Sequence, residues 1–468
     1  MSEAISTVAI IGAGFSGAMV AAHLLRSTRE PLRVVLIESR GVIGRGLAYS
    51  TPQSRHVLNV PCSKMGAWPE DLAGFHRWAS ARVAGLPEGA FVSRGLYGQY
   101  IESELRSMAD AAASGVELEI VHQGAVDVRW RGDRALVELH NRQPLHADHV
   151  VLAMGSGPAR LPLPLRKVAK ETDRVVSLPF APGALDSIGA DDRVMILGTG
   201  LTMYDTVIAL RDQGHRGPVL AVSRRGRTPL AHAPAGSPPW ASEWSGSLAA
   251  IGSVKGVVRE VREACERGEQ EGLDWRGVID SMRAHLPSIW RSWSTDERVR
   301  FLKWAAPFWD AVRHRCAPEI AAEIDGLREA GVLRIERGRA RSFWMDGDDV
   351  VVDFASIGEG GSRVERVDRV LVCAGPESDV THWPNPLMKS LLSQGLVSPD
   401  PLRLGVRTDG PGRVLDRDGN GVEWLSLVGP LRKADLWENT AVPELRVGAA
   451  EAAKRVLERV GQSARAVR

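Results

Sequence analysis

An α/β fold is predicted by three observations on this 468-residue chain. Short apolar runs lead into glycine-rich turns at two places, residues 7–17 and 193–203. Each turn is followed by a helical stretch and then by a second apolar run. Strand signals then vanish between residue 232 and about 332. Together these features predict two Rossmann-like dinucleotide-binding domains with a helical insertion in the second.

The first turn reads Thr7-Val-Ala-Ile-Ile-Gly12-Ala-Gly14-Phe15-Ser16-Gly17, and the next apolar run is Arg33-Val-Val-Leu-Ile-Glu38. A buried parallel strand, Gly-x-Gly-x-x-Gly, a helix, a second strand and a terminal acid form a complete βαβ fingerprint. Gly12 permits the tight turn, Gly14 lets the backbone reach a pyrophosphate, and Gly17 lets helix and sheet approach. The pyrophosphate is expected at the helix N-terminus, where free N–H groups and the dipole favour negative charge. Glu38, 21 residues past Gly17, is placed to accept hydrogen bonds from ribose hydroxyls.

The second turn reads Arg193-Val-Met-Ile-Leu-Gly198-Thr-Gly200-Leu-Thr-Met203, with a helix to about Asp212 and a strand over 218–223. Met203 stands where the third glycine would be. This strand ends in Ser223-Arg224-Arg225-Gly226, with cations in place of the acid. Arginine there suits a 2'-phosphate through charge-assisted contacts, so NADPH is favoured over NADH. The same pair also suits a solvated strand end. Two dinucleotide sites imply two dinucleotides, and the usual pairing is FAD with a nicotinamide.

The expected organisation is an FAD-binding domain over residues 1–192, then a nicotinamide domain over 193–355. The helical insertion occupies about 235–331 of the latter, and the chain returns to the FAD domain over 356–468. Two buried strands, at 148–155 and 368–375, end in Gly155 and Gly375 and resemble those at which two-dinucleotide flavoproteins leave and re-enter the FAD domain; by position alone each equally suits a core strand followed by a turn. Pro229, Pro234, Pro238 and Pro239 mark an irregular lead-in to the insertion. Val254, Val257, Val258, Val261 and Cys265 recur there at helical spacing, as do Leu302, Ala305, Trp309 and Val312, with a kink at Pro307. Seven of the 14 tryptophans fall in it, which suits a cap over a planar substrate and equally suits packing of a small helical layer. Beyond it, strands over 340–345 and 350–355 form a hairpin through Asp346-Gly-Asp-Asp349. A final helix runs from about Asn439 to Val460.

Composition excludes several classes. With 59 basic and 57 acidic side chains the formal charge is +2, which gives no argument for nucleic acid. No run is long enough for a transmembrane helix or signal core, so a cytoplasmic protein without membrane partners is expected. The four cysteines include no Cys-x-x-Cys pair and the 12 histidines show no ligand spacing; no redox dithiol and no metal is expected. Oligomeric state stays open.

The stretch Gly44-Arg45-Gly46-Leu-Ala-Tyr-Ser-Thr51, His56-Val-Leu-Asn59-Val-Pro61, Met65, Ala67-Trp-Pro69 and Phe75-His-Arg-Trp78 is more specific than a glycine loop. Together with residues 91–100 and Leu436-Trp-Glu-Asn439-Thr440-Ala-Val-Pro-Glu-Leu445, it resembles a family of FAD/NAD(P)-binding proteins that includes FAD-dependent urate hydroxylase and the nitrosuccinate-forming aspartate N-monooxygenase. The resemblance is densest over 1–160 and 425–447. Residues 148–155 are also similar to the strand motif of N-hydroxylating monooxygenases, but Met154 and Ser156 stand where that motif has Thr and Tyr. The resemblance implies a flavin-dependent monooxygenase that uses NAD(P)H and O2 and works through a C4a-hydroperoxyflavin on a small polar substrate. Urate 5-hydroxylation leads, with amino-acid N-hydroxylation and an oxidoreductase without oxygen insertion as alternatives.

Several residues are expected at the flavin. Pro61 biases its neighbour to extended geometry, making 59–61 a strip from which Asn59 meets the isoalloxazine edge. Arg45 is expected to reach phosphate. Pro430 follows Gly429 where many flavoproteins have a ribitol-binding Asp, so anchoring is expected from Trp437 to Thr440, with Asn439 or Thr440 capping the last helix. Phe15, Ser16 and Val126 complete the cofactor-binding set. His56 and His232 are the candidate acid–base residues, and each also suits an ordinary hydrogen-bonded histidine.

Overall fold

The computed structural model describes residues 5–233, 240, 244–357 and 361–466, from 463 in backbone only. Pro234, Pro238 and Pro239 of the expected lead-in lie outside the described residues. The chain divides into two compact units, one of residues 1–50, 60–157 and 377–468, the other of 51–59 and 158–376. The expected boundary at 192 falls inside the second unit.

In the first unit, β1 (Ser6–Ile11), α1 (Phe15–Ser27) and β2 (Leu32–Ile37) form the first βαβ. The two strands pair in parallel, Val8 against Val34 and Ile11 against Ile37. Val8 to Ile11 are all buried because α1 covers one face of the parallel sheet and the strands of residues 125–147 cover the other, which is why the sequence shows a continuous apolar run rather than alternation. Each such side chain contributes about 1.5–3 kcal/mol on burial. Two helices follow, α2 (Gly74–Ser80) and α3 (Arg94–Asp110), the latter capped by Ser93, whose hydroxyl accepts the Leu96 N–H at 3.2 Å. Then β3 (Val116–Val121) pairs with β2. A meander of β4 (Ala125–Arg131), β5 (Arg134–Leu139) and β6 (Arg142–Ala147) leads to β7 (His149–Leu152), which pairs with the other side of β1.

The second unit begins with α4 (Leu165–Glu171) and the short β8 (Val175–Val176). It then repeats the first plan with β9 (Val194–Leu197), α5 (Leu201–Asp212) and β10 (Val219–Ser223). The insertion is helical: α6 (Trp244–Ser247), α7 (Val254–Gln270), α8 (Trp275–Ser281), α9 (Leu286–Ser292), α10 (Thr295–Arg300), α11 (Ala306–Arg313) and α12 (Pro318–Glu329). One π-helical turn, Phe301–Ala305, joins α10 to α11. Pro307 sits at the second position of α11, directly after this π-helical turn, so the irregularity expected at this proline falls at the junction of the two helices. Ser294 caps α10 by accepting the Glu297 N–H at 3.3 Å, and the Glu297 carboxylate accepts the Val254 N–H at 2.8 Å at the start of α7. Trp290 meets Trp293 and Phe301 edge to face, Trp293 packs tilted on Phe301, and both indoles are buried, so two of the insertion's tryptophans are core.

Next, β11 (Leu333–Asp346) is twice the expected length. Residues 333–337 pair in parallel with β10, while 338–346 pair antiparallel with β12 (Asp349–Ser356). One strand thus serves as third Rossmann strand and first meander strand. After β13 (Gly361–Val367) comes β14 (Arg369–Val372), expected as a re-entry into the FAD domain. It instead pairs with β9 and β8 in this unit's sheet, whose order is β13-β12-β11-β10-β9-β14-β8. An apolar strand presents generic backbone hydrogen bonds, and nothing within it names its partner.

The chain returns to the first unit with α13 (Pro386–Gln394), β15 (Arg413–Leu415), β16 (Gly421–Leu427), α14 (Lys433–Leu436) and α15 (Val442–Ala466). The first unit's sheet runs β15-β16-β7-β1-β2-β3, and α15 packs along α1. The two units share details beyond topology. The Asp148 carboxylate accepts the Thr7 N–H at 2.6 Å, pinning β7 to β1, and the Asp368 carboxylate accepts the Arg193 N–H at 2.7 Å, pinning β14 to β9. No helix among the described residues is long and apolar enough to cross a membrane.

His149, buried in β7 with its Nε2 2.8 Å from the Ser426 hydroxyl, is pushed down to about 4, by burial first and then by Arg459 and Arg455. In the unfolded chain it titrates near 6.5. Between those values the unfolded state binds the extra proton, so stability present above about pH 6.5 is lost as pH falls. Comparing denaturant unfolding at pH 7 and pH 5, we expect wild type to lose about 1–2 kcal/mol more than His149→Gln. Identical pH slopes for the two proteins would contradict this assignment.

Candidate dinucleotide sites

In the first unit, the glycine loop is enforced by backbone contact. Gly12 adopts φ +103°, donates its N–H to the Ile37 carbonyl at 2.8 Å, and a Cβ there would lie 2.3 Å from the Ala153 carbonyl oxygen. A Cβ at Gly17 would fall 1.9 Å from the Gly12 carbonyl oxygen. Gly14 has ordinary dihedrals as the N-cap of α1, and no side chain caps that helix end. Its first-turn N–H groups are therefore left to an anionic ligand, as a pyrophosphate site requires.

Three other segments meet this loop. The Gly44 N–H donates to the Ala13 carbonyl at 2.7 Å, and a Cβ on Gly14 would be 3.3 Å from the Gly46 Cα. The buried Glu38 carboxylate accepts the Ala13 N–H at 3.0 Å and the Arg40 N–H at 2.9 Å, which holds it beside the loop. Gly429, at φ +93°, brings its Cα side to Ser16, whose hydroxyl would be 3.3 Å from a Cβ there. The buried Asn439 amide donates to the Gly429 carbonyl at 2.6 Å. It does not cap α15, which starts at Val442, and neither does the exposed Thr440. Trp437, two residues before Asn439, is strained: at φ +57° and ψ −63° it centres a γ-turn in which the Glu438 N–H donates to the Leu436 carbonyl at 2.7 Å.

Other expected contacts fall elsewhere. The Arg45 guanidinium pairs with Glu102 at 2.9 Å rather than projecting from its loop. Val126 is half-buried near the start of β4 and shares none of the loop contacts. Gly155 follows β7 at φ +72°, with open space where its Cβ would stand. Phe15 packs against the buried Tyr97, which also meets Tyr49 and Phe75, an aromatic cluster that the glycine pattern did not signal.

The second unit reproduces the loop. Gly198 has φ +118°, donates to the Val222 carbonyl at 2.8 Å, and a Cβ there would lie 2.1 Å from the Cys373 carbonyl oxygen. Gly200 is the uncapped start of α5, with open space around its Cα, and Met203 is fully buried. The Thr199 hydroxyl lies 2.9 Å from that of Ser223, and Ser223 accepts the Gly226 N–H at 2.9 Å. These bonds fasten the arginine-bearing loop to the glycine loop. Arg224 and Arg225 are both exposed on it.

Asn59, His56 and His232 come together within this second unit. His232 Nε2 donates to the Asn59 carbonyl at 2.8 Å, and His56 Nε2 donates to the Asp205 carbonyl at 3.0 Å while its Nδ1 is 2.8 Å from the Thr51 hydroxyl. His232 is pushed down to about 4 by burial, with the Arg315 guanidinium adding to it, and is neutral at pH 7. Both rings hold backbone. Among the described residues no group of three His, Cys, Asp or Glu could hold a metal ion.

Residues 9–157 match the family model described as FAD-NAD(P)-binding. They form an FAD-NAD(P)-binding domain. The β1-α1-β2 loop, Glu38 and the Gly44 loop all lie within this domain. The chain is 26% identical over 257 residues to nitrosuccinic acid synthase npaA of Aspergillus oryzae, a match covering 50% of this chain and 38% of that protein. Among solved structures it is similar to ornithine N-hydroxylase KtzI of Kutzneria sp. 744, with TM-score 0.64 and 15% identity over 97% of this chain and 99% of that one. It is also similar to the cadaverine monooxygenase DfoA of Erwinia amylovora, solved with FAD, with TM-score 0.63 and 12% identity over 97% and 95%. At these identities the structures show a shared fold.

Proposed function

We propose that this protein is an FAD-dependent, NADPH-consuming monooxygenase that hydroxylates the amine nitrogen of a small amino acid or diamine. The observation that carries the reading is the pair of glycine loops with opposite endings: Glu38, an acid suited to ribose hydroxyls, in the first and Arg224-Arg225 in the second. Amine hydroxylation now stands ahead of the urate expectation. The relative and the two neighbours are named for a nitro acid, for ornithine and for cadaverine. A dithiol reductase is disfavoured by the cysteines: burial pushes Cys373 up to about 12 and Cys316 up to about 11, leaving unreactive thiols.

When bound, the flavin supplies hydride acceptance from the nicotinamide and reaction with O2. The chain's own residues position. The first-turn N–H groups of α1 and the Gly14 backbone hold the pyrophosphate, Glu38 turns toward the ribose, and Asn439 fixes Gly429 against Ser16. In the second unit, Gly200 opens α5 to the nicotinamide pyrophosphate and Arg224 and Arg225 take the 2'-phosphate. His56 and the neutral His232 hold the 51–59 strip by donating to carbonyls, and we assign them positioning roles.

The test is oxygen and NADPH consumption by flavin-loaded protein with ornithine, lysine, cadaverine, aspartate and urate, with product mass. We expect one amine to stimulate oxidation and to gain one oxygen on nitrogen. Stimulation by urate alone would reverse the substrate order, and peroxide formation indifferent to every compound would remove oxygen insertion.

A further inference from the structure

The insertion meets the arginine loop of the second unit. The exposed Arg225 guanidinium donates to the Lys303 carbonyl at 2.9 Å, and the Arg227 guanidinium lies over the Phe308 ring at 3.5 Å from its centroid. Trp304 precedes Phe308 by four residues, so both rings lie on one helical face, and they are 57% and 48% exposed. The Lys303 ammonium stands over Trp304 at 5.1 Å. The pairing is held in place: the Leu230 N–H donates to the Ala311 carbonyl at 3.2 Å, and the Cys316 N–H donates to the Leu230 carbonyl at 3.0 Å. The same loop is tied through Ser223 to Thr199, between the two glycines of the phosphate turn.

Exposed indole and phenyl rings are costly to leave in water, and here they are interleaved with cations directly beside a strand end where a dinucleotide carries its adenosine. A guanidinium stacked on one aromatic ring has its other face available for a second flat ring. We propose that the helical insertion completes the adenosine end of the nicotinamide site. Phe308 is a positioning residue that holds the Arg227 guanidinium flat against the adenine, Trp304 flanks it, and Arg224 and Arg225 bind the 2'-phosphate. This rests on the nicotinamide reading of the second unit. It gives the tryptophan-rich segment a nucleotide-binding role distinct from capping the substrate.

The chemistry predicts a ligand with both an adenine and a 2'-phosphate, and the probe is adenosine 2',5'-bisphosphate, titrated into the flavin-loaded full chain by calorimetry. Phe308→Ala and Arg227→Ala should each weaken binding about tenfold with flavin content unchanged, and Phe308→Tyr should restore it. Because Phe308 acts through Arg227, the double variant should bind no worse than Arg227→Ala alone. Wild-type affinity in Phe308→Ala, or additive losses in the double variant, would overturn the proposal while leaving the nicotinamide reading intact, provided Arg224→Ala still loses affinity. Absence of any binding to the wild-type protein would overturn both.

Discussion

Gly17→Ala is expected to give protein that neither folds to the native state nor retains flavin. The added methyl would sit 1.9 Å from the Gly12 carbonyl oxygen and 3.2 Å from the Ala153 Cβ. Gly12 follows β1 and Ala153 follows β7, and each is held by a backbone hydrogen bond, to the Ile37 and Ile11 carbonyls respectively, so the helix would have to retreat by more than about an ångström from the sheet it covers. Overpacking of this kind costs about 1–3 kcal/mol even where side chains yield, and more where the obstacle is backbone. Against a total stability of about 5–15 kcal/mol that is a large fraction. Gly14→Ala provides the contrast. Its dihedrals suit any residue, and its methyl would meet only the Gly46 Cα at 3.3 Å. That variant should fold while binding FAD more weakly, because the methyl stands where the backbone approaches the pyrophosphate. Soluble yield, circular dichroism and flavin absorbance separate the two outcomes, and a soluble, fully yellow Gly17→Ala protein would refute the account.

The second large effect concerns Arg224. Its guanidinium is exposed, and no carboxylate pairs with it among the described residues, so its removal disturbs little else. A charged hydrogen bond to phosphate contributes about 1.5–3 kcal/mol, so Arg224→Ala should raise KM for NADPH on the order of 10- to 100-fold while KM for NADH barely changes. The difference should shrink as salt rises, since an exposed contact is screened over about 10 Å at 0.1 M. Arg225→Ala should show a mixed effect, because its bond to the Lys303 carbonyl also anchors the insertion. Equal losses with both nicotinamides would place Arg224 outside the 2'-phosphate site.

These predictions draw on different sources. The glycine loops were legible because the steric demand at each is met by a single residue type, and because the flanking strands are apolar without interruption. The insertion was legible as helix from its apolar spacing, although that spacing carried no sign of the Ser294–Glu297 cap at the start of α10. The aromatic cluster around Tyr97 left no periodic signal, since its rings come from α1, α2, α3 and the Gly44 loop.

What the sequence determined by itself was local: two glycine-rich turns, an acid ending one βαβ unit and arginines ending the other, and an indole-rich helical segment between strands. Tertiary structure alone decided the partners. It paired β14 with β9, drew residues 51–59 into the second unit, spent Arg45 on Glu102, turned the Asn439 amide to Gly429 and set Phe308 beneath Arg227. The physical reason is that a tight turn needs its special residue in place, whereas strands, amides and guanidinium groups offer hydrogen bonds that many distant groups can satisfy, and only the packed chain selects which one does.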